Sequence, residues 1–250
     1  NRTEDMGSSN TIGWWYSVAE ADIDQDGDLD YIAGNLGENY KYQASAKEPF
    51  ELYVGDFDQN ERLDIVLGYY QDGEQYPLRG RQCSSEQIPA IKHKFKDYKS
   101  FAAATLSDVY GKKNLENALQ LRATSFATSL LINEGNQVNV QKLPSRAQFS
   151  SVNGIISHDV NDDGVIDLIL AGNLYASEVE TPRNDAGMGL LLIGNSEGVY
   201  EAVSPAESGL YLSGDIKDLK LIRLGKNSPE VGILALANND RLKLFLQQNK

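Results

Sequence analysis

The sequence predicts an all-β chain organised around a repeated metal-binding loop, and three observations predict it. In the first loop, Asp22, Asp24, Asp26, Asp28 and Asp30 occupy alternate positions, and Asp56, Asp58, Asn60 and Asp64 reproduce the spacing, as do Asp159, Asn161, Asp163 and Asp167. Asp or Asn thus stands at positions 1, 3, 5 and 9 of all three loops. Each loop runs directly into an apolar stretch: Tyr31-Ile32-Ala33, Ile65-Val66-Leu67 or Leu168-Ile169-Leu170. β-formers flank every loop, so each reads as strand–loop–strand. Carboxylates packed this densely repel one another and resist burial unless a cation neutralises them. Six or seven oxygen ligands suit a hard cation, which points to calcium.

An EF-hand shares the opening D-x-D-x-D-G but requires a bidentate Glu at position 12 and flanking helices. Position 12 here is Ala33, Leu67 or Leu170. The acid sits at position 9 instead. The second loop carries Glu61 where the sharp turn favours glycine, and Gly27 and Gly164 stand there in the others.

Taken in order, residues 1–12 are polar and expected to fray. Trp14–Ala19 leads into the first loop and Leu29–Gly34 leaves it, with a turn at Gly34-Asn35-Leu36-Gly37. Phe50–Val54 enters the second loop and Ile65–Tyr70 leaves it. From Pro77 to Leu121 the period shifts towards helix. Ser84 or Ser85 is expected to cap a helix through Ile88, Ile91 and Phe95, with a second through Phe101, Leu106 and Val109 up to Gly111 and a third over Asn114–Leu121. Asp56 and Asp159 lie farther apart than Asp159 and a degenerate fourth copy at Asp215, and the excess is close to the length of 77–121. A helical insertion explains this, and a metal-free repeat is the competing explanation. Strands resume at Ser125–Asn133, Val138–Leu143, Ile155–Ser157, Leu168–Ala171, Gly189–Ile193, Val199–Val203, Val231–Ala237 and Leu242–Leu246. The copy at Asp215 has Lys217 at ligand position 3, a cation that opposes metal binding.

Hydrophobic residues make up 41% of the 250, enough for one domain with a sizeable core. The 36 acidic residues against 23 basic give −13 and argue against nucleic acid as a partner. A single cysteine, Cys83, excludes an internal disulfide and a zinc ribbon. No apolar run approaches the ~18 residues of a membrane span. No signal peptide is recognised, and the chain starts at Asn1, as a mature or trimmed fragment would.

The loops, with Tyr53-Val54-Gly55-Asp56-Phe57-Asp58 and Ala171-Gly172-Asn173-Leu174, resemble the FG-GAP or VCBS repeat of integrin α-subunit propellers, in its bacterial branch related to ASPIC/UnbV proteins. The resemblance covers most of the chain apart from 77–121. It implies a β-propeller of four-stranded antiparallel blades, each loop joining a blade's first two strands. The chain then supplies about four blades as one domain over 1–250, part of a larger ring whose remaining blades lie elsewhere in the native chain. An extracytoplasmic location, such as the periplasm, outer surface or secreted space, and a binding role are also implied. About three structural Ca2+ ions are expected. By analogy with position 7 ligation, the carbonyls of Asp28, Arg62 and Val165 join the side chains of Asp22, Asp24, Asp26 and Asp30; of Asp56, Asp58, Asn60 and Asp64; and of Asp159, Asn161, Asp163 and Asp167.

Catalytic signals are thin. Gly194-Asn195-Ser196-Glu197-Gly198 fits G-x-S-x-G, but an alternating strand pattern follows where the hydrolase elbow needs a helix. The histidines are His93 and His158, and His158 abuts the third loop. The expected function is therefore a non-catalytic binding module for a glycan or protein partner. The alternatives are a propeller-based polysaccharide lyase or glycosidase, and a structural spacer in a larger surface protein. Two stretches depart from the blade pattern: the basic cluster at 79–99 and the charged loop Ser177–Gly189, which includes Glu178 and Glu180. Arg79, Arg81, Arg183, Asp185, Tyr69 and Tyr70, with Tyr76, are the candidate ligand-binding residues. Guanidinium forks suit carboxylates and tyrosines suit sugar rings.

Overall fold

The computed structural model describes residue 7 and residues 11–177, 181–225 and 230–246. The expected fraying at residues 1–6 and 8–10, and the acids Glu178 and Glu180, lie outside the described residues. In chain order the strands are β1 (Ser17–Ala21), β2 (Asp30–Gly34), β3 (Phe50–Gly55), β4 (Asp64–Gln71) and β5 (Glu74–Pro77). Five short helices follow: α1 (Arg81–Gln87), α2 (Ala90–Lys94), α3 (Tyr98–Ala102), α4 (Leu106–Tyr110) and α5 (Lys112–Asn117). Then come β6 (Leu119–Ala123), β7 (Ser129–Asn133), β8 (Val138–Lys142), β9 (Gly154–His158), β10 (Asp167–Ala171), β11 (Leu190–Gly194) and β12 (Tyr200–Val203). The short α6 (Pro205–Ser208) precedes β13 (Ile216–Arg223), β14 (Val231–Ala237) and β15 (Lys243–Leu246).

The described chain is mostly β: four antiparallel sheets, none closed into a barrel. Their orders are β1-β2-β7-β8 (sheet I), β5-β4-β3-β6 (sheet II), β12-β11-β10-β9 (sheet III) and β13-β14-β15 (sheet IV). All three acidic loops join two neighbouring antiparallel strands: β1–β2, β3–β4 and β9–β10.

Two compact units divide the chain. One comprises Asn1–Lys41 and Phe126–Lys250, and the other Tyr42–Ser125. The excursion from the first unit is thus wider than the helical segment 77–121, because it carries the second acidic loop and its strands as well. Sheet I is split by it, since β2 pairs with β7 in the register Tyr31↔Leu131 and Ile32↔Leu130.

In the first unit the alternation of each strand sends consecutive side chains to opposite faces. Ile32, Leu130 and Ile132 of sheet I pack with Leu168, Leu170 and Leu192 of sheet III. The opposite face of sheet III, with Ile156 and Ile169, packs on Leu219 and Ala235 of sheet IV. The outer faces of this stack carry exposed apolar residues, Val18 and Val140 on sheet I and Leu244 and Leu246 on sheet IV, beside charged ones such as Glu20 and Lys220.

The sequence Ala-Gly-Asn-Leu occurs at the end of β2 and again at the end of β10. Both asparagines, Asn35 and Asn173, are fully buried. Asn173 donates to the carbonyls of Gly187 and Gly214 at 3.0 and 2.7 Å and accepts from Gly187 N at 2.9 Å. A side chain on Gly172 would lie 1.9 Å from the Ser151 carbonyl, and one on Gly34 would lie 2.3 Å from that of Val152. These glycines are required for close backbone approach.

In the second unit, Tyr53 and Val66 of sheet II form one core with Ile88, Ile91, Phe95, Phe101, Leu106, Val109, Tyr110 and Leu115 of the helices. Five helices replace the three expected, because local caps divide the segment. Asp97 caps α3, accepting from Ser100 N; Thr105 and Asp108 close a capping box on α4. Gly111, at φ +86°, separates α4 from α5. Ser84 lies inside α1 instead of capping it, and β6 joins sheet II beside β3 through Leu52↔Leu121 and Val54↔Leu119.

The degenerate copy at Asp215 requires correction. Asp215 stands at the head of β13, the first strand of sheet IV, and not in a loop between two paired strands. Its carboxylate is buried and pairs with the Lys217 ammonium at 2.7 Å.

Candidate metal centres

The three loops share one backbone path. Position 4 has positive φ in each, at Gln25 (61°), Gln59 (61°) and Asp162 (59°). Position 6 does too, at Gly27 (96°), Glu61 (65°) and Gly164 (86°). The left-handed conformation costs a non-glycine residue roughly 1–2 kcal/mol, so Glu61 holds the turn against its own preference. Side-chain oxygens fix these turns. The position 1 carboxylate accepts from the position 6 amide in all three: Asp22 from Gly27 N at 3.2 Å, Asp56 from Glu61 N at 2.9 Å, Asp159 from Gly164 N at 2.7 Å. Position 5 accepts from position 7: Asp26 from Asp28 N, Asn60 from Arg62 N, Asp163 from Val165 N.

Position 9 has a further role. Asp30, Asp64 and Asp167 are buried, and one oxygen of each accepts from the position 2 amide: Ile23 N, Phe57 N and Val160 N at 2.9–3.0 Å. In loops one and three the other oxygen accepts from the third strand of the sheet, from Asn133 N at 2.8 Å and Gly194 N at 2.9 Å. Position 9 therefore ties the loop to its sheet, whether or not a metal is bound.

Two carboxylate triads gather oxygens within 4.8 Å of one another: Asp22, Asp24 and Asp30, and Asp56, Asp58 and Asp64. Loop three places Asn161 at position 3, and its amide donates to Asp163 at 2.9 Å. Desolvation, then repulsion by Asp30, Asp26 and Asp22, pushes the Asp24 carboxyl above the ordinary range. Asp28 is raised by desolvation and by Asp26, Asp30 and Asp24. Asp64 and Asp167 are also raised, chiefly by desolvation and then by their loop neighbours. At Asp159 desolvation acts upward too, but the amides of Gly164, Asp163, Asn161 and Asp162 outweigh it and hold the carboxyl low. Asp22 Oδ1, Asp28 Oδ1 and Asp58 Oδ1 are buried without a hydrogen-bond partner. Such oxygens carry an unrelieved desolvation cost, and the donor set fits a hard cation. Asp28, expected to contribute only its carbonyl, brings its side chain into the same loop.

The candidate ligand residues fall in different units. Arg183 and Asp185 lie in the first, as an exposed pair at 3.3 Å, with the guanidinium 4.5 Å from the Tyr175 ring centroid. Arg79, Arg81, Tyr69 and Tyr70 lie in the second. Arg79 donates to Gln87. Arg81 is taken up by backbone, donating to the carbonyls of Phe95, Lys92 and Lys96. Tyr69 tilts against Tyr76 at 6.2 Å. Desolvation, then the Glu51 carboxylate, pushes the Tyr70 phenol up.

Glu51 is a feature that the sequence reading missed. Only 4% exposed, it accepts from Tyr53, Gln75 and Gln120 across three strands. Its glutamine partners stand on β5 and β6, the two edge strands of sheet II, so no local spacing announces them. The Gly194–Gly198 segment is a hairpin turn in which Asn195 accepts from Glu197 N and Val199 N. His158 stands opposite Asp167 in the β9–β10 ladder.

Comparison with protein-family models, with curated proteins and with solved structures gives no significant match. No described helix is long and apolar enough to cross a membrane.

Proposed function

We propose that the chain is a calcium-stabilised, extracytoplasmic β-propeller module of the FG-GAP/VCBS type that binds a glycan or protein partner. The observation that carries this reading is the congruence of the three loops: the same left-handed turns at positions 4 and 6 and the same oxygens at positions 1, 3, 5 and 9. Calcium would sit among Asp22, Asp24, Asp26 and Asp30 in loop one, Asp56, Asp58, Asn60 and Asp64 in loop two, and Asp159, Asn161, Asp163 and Asp167 in loop three. There it would neutralise carboxylates that otherwise repel. The exposed apolar residues on the outer faces of sheets I and IV support further blades as partners, since clustered exposed apolar side chains mark contact surfaces.

A cation that binds only the folded state raises its stability by mass action. The melting midpoint of the chain is expected to rise in calcium and to fall in chelator. An unchanged midpoint removes the metal from this reading. Loops without a bidentate Glu are expected to bind calcium at roughly 10⁻⁴–10⁻³ M, the range of extracellular modules. Nanomolar affinity by calorimetry would remove the argument for location.

One observation favours the lyase or glycosidase alternative. Beside loop two a cleft of 330 Å³ is lined by Asp58, Lys94, Tyr110 and Asn114, which brings a candidate metal ligand near a cationic side chain. Turnover of uronate polymers that requires calcium and is lost in Lys94→Gln would support that reading over the binding module.

A further inference from the structure

Sheet III ends, away from its acidic loop, in a cleft of 260 Å³. At that end Ala171 pairs with Gly154, and at the other, beside the loop, Asp167 pairs with His158. The segment leading into β9 supplies Arg146, Phe149 and Ser151 to the lining, the segment leading into β11 supplies Met188, and α6 supplies Pro205. All of them lie in the first unit. The walls are held in place. Asn173 accepts from Gly187 N at 2.9 Å and donates to the Gly187 carbonyl at 3.0 Å, and the Met188 carbonyl accepts from Leu212 N at 2.7 Å. A capping box of Ser204 and Glu207 fixes α6. A preformed, mostly apolar cleft with a few polar groups is the usual form of a small-molecule site.

Four of the lining side chains have no task in the fold. Phe149 and Met188 are half-exposed, and neither belongs to a core of the unit. The Ser151 hydroxyl is buried without a hydrogen-bond partner. Its neighbour differs, since the Ser150 hydroxyl lies 2.6 Å from Asn173 Oδ1 and 2.9 Å from Asn184 Oδ1. An unmet buried hydroxyl costs stability and calls for a reason. Arg146 is exposed and forms no ion pair among the described residues. Hydrogen bonds from Ser204 hold the Glu207 carboxyl low, and Arg146 adds to this through space.

We infer that this cleft binds a small aromatic monocarboxylate, with its ring against Phe149 and Met188 and its carboxylate on Arg146. The inference goes beyond the binding-module reading and stands without it. Each part of the ligand follows from the lining. At ~30 Å³ for each water-sized group, 260 Å³ holds about nine of them, which is a ring with a short arm and not a polymer. A ring suits Phe149 through offset or edge contact and Met188 through its sulfur. A guanidinium fork takes a carboxylate bidentately. One negative charge is the match. A phosphate monoester carries about −1.5 to −2, more than a single arginine offsets with Glu207 nearby. Ser151 adds a spare donor in the same wall.

The test titrates the intact chain in chelator, so that no metal takes part, with a series of probes of one shape: phenylacetate, 2-phenylethanol and phenethylamine. Phenylacetate should bind with a Kd of roughly 1 mM, as a ligand of about ten non-hydrogen atoms would. The neutral alcohol should bind about fivefold more weakly, and the amine more weakly still. Amide shifts of the isotope-labelled chain should gather in 146–152, 170–172 and 186–190. Arg146→Gln should erase the preference for phenylacetate over the alcohol, while Phe149→Ala and Met188→Ala should weaken both probes alike. Arg241→Gln removes an exposed arginine outside the cleft and should change neither by more than about twofold. Should Phe149→Ala or Met188→Ala fail to fold, the charge series on the wild type and on Arg146→Gln decides. Equal binding of the three probes, no binding of phenylacetate up to about 10 mM, shifts centred elsewhere, or tighter binding of phenyl phosphate would each overturn the inference.

Discussion

Asp167 and Asp24 separate two jobs that one loop motif combines. Asp167 satisfies Val160 N and Gly194 N from a fully buried site, so Asp167→Ala leaves two amides unpaired. We expect a loss of about 2–4 kcal/mol by urea unfolding in chelator, because each orphaned buried donor costs ~1–3 kcal/mol, and a larger loss in calcium. Asp24 is exposed and crowded by like charge. Asp24→Ala should leave stability in chelator unchanged or higher, while shrinking the gain that calcium brings. Glu61 offers a second check. With φ at +65°, Glu61→Gly should be neutral or stabilise by up to about 1 kcal/mol, whereas Gly164→Ala at φ +86° should cost about that much. Equal effects at the two positions would contradict the shared turn. The sequence shows positions 1, 3, 5 and 9 plainly. It hides position 4, because Gln25, Gln59 and Asp162 lack the glycine that would announce a left-handed turn.

Among the elements, α4 is held by the Thr105–Asp108 capping box inside a unit whose helices are all short. Hydrogen bonds from Thr105 keep the Asp108 carboxyl below its usual range. A carboxyl lowered by folding stabilises the native state above its unfolded pKa, and that contribution fades as pH falls towards the folded value. Thr105→Ala should therefore cost about 1 kcal/mol near neutral pH and progressively less in acid, read from denaturation at several pH values. A pH-independent difference would assign the effect to the threonine hydroxyl alone. Strand positions such as β7 and β8 were legible because turn residues such as Glu134-Gly135-Asn136 sit between alternating runs, whereas β5, β6 and β13 were not read as strands. The break at Gly111 was legible too, but the further division of 77–121 into five helices was not, because Asp97 and Thr105 act through local caps that interrupt the apolar spacing without changing it. The misplacement of Asp215 has a similar origin: Asp-x-Lys-x heading a strand has the letters of a loop but lacks the paired strand before it.

At the scale of the molecule, the first unit keeps its sheets and both of its cores within Asn1–Lys41 and Phe126–Lys250. Replacing 42–125 by a short Gly-Ser linker should leave a chain that unfolds cooperatively, with protected amides in β2, β7 and β10 by hydrogen exchange. Loss of protection in β2 and β7 would show that the second unit is needed to build sheet I. The wider excursion could not be read from sequence, because β3 and β4 carry the same alternation as the strands of the first unit and only pairing distinguishes them. That pairing also sets a timetable for synthesis. The edge of β2 that bonds to β7 through Tyr31↔Leu131 stays bare while some hundred further residues are made, roughly 5–20 s at ordinary elongation rates. An unpaired edge is an aggregation hazard for that interval. The second unit shortens the loop that must then close, because its own first and last strands zip together through Phe50↔Ala123. Once it folds, the gap that β7 must bridge is a small loop with little closure entropy left to lose. An insertion that looks like an interruption on paper thus works, during folding, as the clasp that delivers β7 to β2.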